Sequence, residues 1–220
     1  TNSGIQSPTD LEGRRVGVRG YTVTTGVWAR GILNSVYGVD LDQVTWVLSG
    51  DEHVAEYVAP SNVETADSGD LRAMLASGEI DAAIGAPASD SPDIQPLIPD
   101  ARAAGAEYFG NTGIYPINHS IVVRNDVLEA NPWLAKELFT MFTAAKRSYL
   151  ESVRSNGDDM NSADKALMDV TEIVGDDPLP YGLVSSMPAL EAFIQFCVDQ
   201  QVIPEKVEPE QVFAPSTLTL

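Results

Sequence analysis

The order of elements in this 220-residue chain predicts an α/β fold of parallel βαβ units, in two lobes flanking a cleft. Three observations carry that expectation. Short apolar strand patterns alternate with helical patterns through the first half. The pattern changes near residue 110, after which one strand is followed mostly by helix. Hydrophobic residues make up 44% of a chain long enough to bury a sizeable core.

The elements follow in order. "RRVGV" (14–18) is a strand introduced by the turn-like "SPTDLEG". "YTVTTGVWARGILNSVYG" places Val23, Val27, Trp28, Ile32 and Val36 close to helical spacing. Threonine hydroxyls stand at the start of that helix, and Gly38 suits its end. "QVTWVL" (43–48) is a second strand, followed by the acidic loop "SGDEHVAEYVAPSN". "GDLRAMLASGE" (69–79) is a short helix that Gly78 closes, and "IDAAIGA" (80–86) is a third strand. The prolines of "PASDSPDIQP" (87–96) require a loop. "HSIVVRND" reads as a strand. Asn131 as N-cap and Pro132 at the first helical position then open a helix carrying Leu134, Leu138, Met141, Phe142, Ala145 and Tyr149 on one stripe. After a break at "SNGDDMN", "SADKALMDVTEIVG" and "SMPALEAFIQFCVDQQ" are helices on either side of "DDPLPYGLV". The expected division is residues 11–110 as one lobe, 111–117 as a crossover and 118–220 as part of the other.

Charge and motifs exclude several functions. A net charge of −19 repels phosphate backbones, so no nucleic-acid partner is expected. No apolar run is long enough to span a bilayer. The opening "TNSGIQSPTDLEG" lacks the pattern of a signal peptide and reads as a chain already under way. The P-loop, dinucleotide, zinc-protease and nucleophile-elbow motifs are all missing. With His53 and His119 the only histidines and Cys197 the only cysteine, no metal site and no internal disulfide are expected. Cys197 shares a helical face with Leu190, Phe193 and Ile194, which marks it as a buried, inert thiol.

Candidate binding residues cluster at the strand-to-helix junction "VRGYTVTTG". Free backbone N–H groups and a positive helix end suit a carboxylate or phosphate there. Thr22, Thr24 and Thr25 add donors, Arg19 adds charge and Tyr21 an aromatic wall; plain helix capping is the competing explanation. Arg30, within the helix, reads as a surface ion-pair partner or as a further anion anchor. His53 reads as a solvated loop histidine, and Asp81 as either a packing or a ligand-approach position. His119 follows Tyr115 and Pro116 in "TGIYPINHS" at the lobe boundary. Its spacing leaves proton exchange and turn-shaping equally open. Tyr181, in "PYG", is a packed aromatic or a cleft-lining one.

Taken together, "SPTDLEGRRVGVRGYTVTTGVWARGIL", "YGVD", "GEIDAAIGA", "TGIYPINHSIVVRNDVLEANPW", "PYGL" and "FAPSTL" resemble the 4,5-dihydroxyphthalate decarboxylase-like family. The resemblance runs from about residue 5 to the end. It implies a type 2 periplasmic-binding-protein fold, akin to the nitrate, sulfonate and thiamine-precursor binding proteins. It further implies that residues 11–110 form lobe two, that 118–220 complete lobe one, and that the N-terminal part of lobe one is absent, leaving a sheet edge that a homo-oligomer could cover.

The family reaction removes carbon dioxide from a dihydroxylated aromatic acid without an evident organic cofactor, so none is expected. The resemblance implies a small aromatic carboxylate, or another small anion, as ligand. Thr24, Thr25 and the nearby N–H groups would anchor it, with Arg19 or Arg30 close by. "TGIYPINH" matches the family form T-G-I-[FY]-P-x-x-H, which carries His119 over by position; proton management at the ring is the role its residue type suits. The family's Arg after "GEIDA" has no counterpart in "AIGAPAS". The alternative function is a non-catalytic solute-binding protein of the ABC-transport type. The enzyme reading implies a cytoplasmic protein; a signal peptide on the full-length gene would make it periplasmic.

Overall fold

The computed structural model describes residues 3–66, 69–86 and 90–220. The fold is α/β. Four described strands form one parallel sheet in the order β3–β2–β1–β4. They are β1 Arg15–Val18, β2 Thr45–Leu48, β3 Val63–Thr65 and β4 Ala82–Ala83. The described helices are α1 Thr24–Tyr37, α2 Leu71–Ser77, α3 Ala101–Thr112, α4 Asn125–Ala130, α5 Leu134–Ser155, α6 Ser162–Val174 and α7 Leu183–Asp199.

The chain divides into two compact units. The first comprises Thr1–Ala104 with Phe193–Lys206, and the second Gly105–Ala192 with Val207–Leu220. In the first unit, side-chain alternation sorts residues onto the two faces of the sheet. Val16, Val18, Trp46 and Leu48 pack with Leu11, Leu33 and Val39. On the opposite face Val47 packs with Leu71, Met74 and Ile80. Gly17 makes room there: a Cβ would meet the Ile80 and Leu71 methyls at 2.5 and 2.7 Å. Both faces are therefore covered, as a parallel sheet requires. The C-terminal half of α7 lies against α1, where Trp28 meets Phe193 and Phe196 at ring-centroid distances of 5.3 and 5.7 Å. Gly31 permits this approach, since a Cβ would sit 2.2 Å from the Phe196 ring.

The early helices close where glycine allows. Gly38 and Gly78 adopt left-handed conformations (φ 71° and 77°) after α1 and α2. The start of α1 differs from expectation. Val23 is its N-cap and makes no side-chain cap bond, so the threonines do not cap the helix. The strand expected over 80–86 shortens to Ala82–Ala83. Strand β3 and helix α3 were not anticipated. Of the expected loop 87–96, residues 90–96 form no helix or strand, and 87–89 lie outside the described residues.

The second unit is helical. The strand expected in "HSIVVRND" does not form. Residues 119–124 have no strand partner among the described residues, Ile121 and Val122 are 66% and 88% exposed, and residues 125–130 are helix α4. Asn131 is not the N-cap of α5 but the C-cap of α4, and its Nδ2 donates back to the Val127 carbonyl. Helix α5 starts at Leu134, with Trp133 in the cap position. None of the six residues of its expected stripe is buried: Leu134 and Leu138 are half-buried and Met141, Phe142, Ala145 and Tyr149 are exposed, while the buried residues of α5 are Leu150 and Val153, outside that stripe. Asn161 caps α6 by accepting from the Asp164 N–H, while its Nδ2 donates to the Asp164 carboxylate. Tyr149 donates its hydroxyl to the same carboxylate at 2.5 Å. Gly182 (φ 101°) sits against the Leu220 carbonyl, where a Cβ would clash at 2.4 Å. No helix among the described residues is long and apolar enough to cross a membrane.

Candidate carboxylate site

The first unit's candidate site lies where β1 ends and α1 begins. In open parallel sheets, loops at the carboxyl ends of the strands form the ligand crevice, next to the strand where the winding direction changes. Here β1 pairs with β2 on one side and with β4 on the other. The loop after β1 carries Gly20, Tyr21 and Thr22, and the loop after β2 carries Glu52 and His53.

The carboxylate of Glu52 is held at this junction. It accepts from the Tyr21 N–H, from the Thr22 N–H at 3.0 Å and from the Thr22 hydroxyl at 2.5 Å. Such charge-assisted bonds are the strong ones. The site expected to hold a carboxylate therefore holds one belonging to the chain itself.

Arg30 is entirely buried, which rules out the surface ion-pair reading. Its Nη2 donates to the Tyr21 carbonyl at 2.6 Å and its Nε donates to Gln200 Oε1 at 2.7 Å. Gln200 in turn donates to the Val27 carbonyl at 2.9 Å. The guanidinium carbon lies 4.0 Å from the Tyr21 ring centroid, a cation–π contact in a desolvated place. Arg30 Nη1 is buried with no hydrogen-bond partner among the described residues. It sits beside the first turn of α1, 3.2 Å from where a Gly26 Cβ would be. Burial pulls the Arg30 pKa down, opposed by Tyr21, Tyr57 and Glu52. Burial pushes the Tyr57 phenol up to about 12, helped by Tyr21 and Glu52, and raises Tyr21 as well.

Beside this junction an open pocket of about 420 Å³ is lined by Thr22, His53, Glu56, Tyr57, Val202 and Ile203, with Val54. Tyr57 stacks on Tyr21 (centroids 6.3 Å apart) and donates its hydroxyl to the Gln201 carbonyl at 3.3 Å. Gln201 takes φ 57°, a left-handed conformation that turns the chain after α7 toward Val202 and Ile203.

The expected site residues thus separate. Tyr21 and Thr22 bind Glu52, Tyr21 through its backbone while its ring is buried, and Arg30 binds the Tyr21 carbonyl instead of the carboxylate. Arg19 and Thr25 are exposed and Thr24 is half-buried; none of them binds Glu52. His119 is exposed in the second unit, in the stretch before α4. Tyr115 lines a cavity of about 200 Å³ there, together with Phe109, Asp177, Ser185 and Ser186. Tyr181 is exposed and faces Lys146, whose Nζ lies 4.3 Å from its ring centroid. Lys146 donates to Asp177 at 2.7 Å and to the Leu179 carbonyl at 2.8 Å. Glu52, Gln200, Lys146 and Asp177 were not singled out from the sequence. Each acts on residues far away in the chain, so no local spacing marks it. Among the described residues, no group of three or more His, Cys, Asp or Glu side chains is placed to hold a metal ion.

No family model matches the chain. The chain is 28% identical to 4,5-dihydroxyphthalate decarboxylase of Comamonas testosteroni over 231 aligned positions, covering 98% of this chain and 70% of that protein. It is 36% identical to 4,5-dihydroxyphthalate decarboxylase of Pseudomonas putida over 119 positions, covering 48% of this chain and 46% of that protein. Both relatives are named as decarboxylases, and the similarity to the first extends over nearly all of this chain.

Proposed function

We propose that this chain takes part in the non-oxidative decarboxylation of a dihydroxylated aromatic acid such as 4,5-dihydroxyphthalate. The observation that carries the reading is the similarity to a decarboxylase of that name over 98% of the chain, with a second protein of the same name matching about half of it. The type 2 periplasmic-binding-protein fold, with residues 11–110 as lobe two and 118–220 completing lobe one, belongs to the same proposal and rests on the motif resemblance.

The chemistry sets three tasks. One carboxylate must be held so that the ring is oriented. A phenolic hydroxyl para to the departing group must release electron density toward the carbon that loses it. That carbon must then receive a proton as the C–C bond breaks, so one aromatic carboxylate and one proton become a ring C–H and carbon dioxide. In this reading the Tyr21 and Thr22 donors serve the first task, and Arg30 supplies positive charge from beneath the Tyr21 carbonyl it binds. His119 is the proposed proton donor, a role that imidazole chemistry suits.

Carbon dioxide release from 4,5-dihydroxyphthalate tests the proposal. We expect turnover by the wild-type chain and a loss of about a hundredfold or more in kcat for His119→Ala. Equal activity of that variant removes the role from His119. Binding of the acid without turnover by wild type would replace the lyase reading with that of a solute-binding protein.

A further inference from the structure

We infer that Glu52 is an internal carboxylate ligand that keeps the anion site of the first unit closed, and that a ligand's carboxylate enters by displacing it. The inference rests on the proposed function for the class of its ligand, an aromatic carboxylate, and on the geometry for the gate itself.

Two independent features mark the place as an anion site. The first is the set of donors on the loop leading into α1: the Tyr21 N–H, the Thr22 N–H and the Thr22 hydroxyl, all directed at one carboxylate. The second is Arg30, which is fully buried and has Nη1 unpartnered beside the first turn of that helix. A buried cation with a free donor is costly unless negative charge comes near it. Glu52, bound to the N–H groups of the loop whose Tyr21 carbonyl Arg30 holds, supplies such charge, and its field favours the protonated guanidinium.

The segment that delivers Glu52 is irregular rather than helical. Residues 49–62 join two parallel neighbours, β2 and β3, without a helix between them. Val54 and Val58 on this loop are exposed. Its far end is tied down by Asn62, whose Nδ2 donates to the Leu41 and Val44 carbonyls, and its middle by Tyr57, which stacks on Tyr21 and donates to the Gln201 carbonyl; the stretch around Glu52 is held through that carboxylate at the Tyr21–Thr22 corner. Releasing Glu52 frees the donors next to the pocket lined by Thr22, His53 and Tyr57. A second carboxylate cannot share these donors with Glu52, because like charges at that distance repel. Opening is therefore a competition, and the apparent affinity for a ligand is reduced by the fraction of chains in which Glu52 is bound.

Calorimetric titration with phthalate, which carries the two carboxylates without the hydroxyls, tests the gate on the intact chain. Glu52→Ala is expected to bind phthalate about tenfold or more tightly than wild type, with Glu52→Gln intermediate. Adding Thr22→Val to Glu52→Ala should cancel the gain. Phthalamide, the neutral counterpart, should show no dependence on residue 52. Unchanged or weaker phthalate binding in both single variants, with melting temperatures at the wild-type value, would make Glu52 a structural tie and overturn the inference. If Glu52→Ala fails to fold, Glu52→Gln alone decides by the same criterion. The reading beneath it fails separately: an affinity gain with no carbon dioxide released from 4,5-dihydroxyphthalate leaves the gate and removes the lyase, whereas turnover without any gain does the reverse.

Discussion

The two units solve the problem of burying apolar surface to different degrees. In the first unit a four-stranded sheet has two faces, and each finds a helix. Trp46, Val47, Val16 and Val27 are almost completely withdrawn from water. In the second unit α3 buries no residue, and Ile121, Val122, Trp133, Met141, Phe142 and Val184 remain exposed. The difference shows what a sheet does for a small fold. It offers two broad faces to helices, whereas a long helix such as α5 hides only the stripe that another element happens to cover.

The contrast can be broken most directly by deleting core volume. Trp46→Ala should cost about 3–5 kcal/mol, because it empties a fully enclosed site between β2 and the residues around Leu11 and Leu33. Urea unfolding checks this. A loss under 1 kcal/mol would mean the first unit is not the densely packed one. The matching change in the second unit, Ile121→Ser with Val122→Ser, should stay within about 0.5 kcal/mol of wild type, since both side chains already lie in water. A large loss there would show that the run Ile121–Val123 is covered in solution.

A smaller effect should appear in alkali, and in the first unit. Burial raises the Cys197 thiol to about 11 and the Tyr57 phenol to about 12. Both groups are neutral when protonated, and in each the folded value lies above the unfolded one. Their contribution to stability is therefore complete below about pH 8.5 and is lost as pH rises through 11 and 12. Melting temperature should fall progressively above pH 9, and Cys197 should resist alkylation by iodoacetamide at pH 8 in the native chain while reacting in urea. Rapid labelling at pH 8 without denaturant would contradict the buried placement.

The same contrast explains what was legible. β1, α1, β2 and α2 carry local signals that tertiary structure did not override: alternating apolar residues, helical spacing, and Gly38 and Gly78 at the left-handed ends. β3 spans only Val-Glu-Thr, and its strand character comes from pairing with β2, which is a long-range fact. Ile121–Val123 has high strand propensity, yet no described neighbour pairs with it, and propensity without a partner does not make a sheet. Asn131 carries a capping side chain, but that group turns back to the helix before it. At the site, the Tyr21–Thr22 corner was readable as a carboxylate cradle because a strand ends and a helix begins there. Glu52 was not readable, since it arrives from thirty residues away on a different strand's loop. Of the two readings of Arg30, the surface ion pair fails, because helical position alone does not reveal that Gln200, from near the end of the chain, binds and covers it.

The lyase reading itself comes down to the fate of one carbon. 4,5-Dihydroxyphthalate labelled with carbon-13 in its carboxyl groups, followed by NMR with the wild-type chain, should give one labelled carbon dioxide or bicarbonate for each labelled dihydroxybenzoate formed. Label that stays in intact 4,5-dihydroxyphthalate, shifted by binding but never released, would contradict the account.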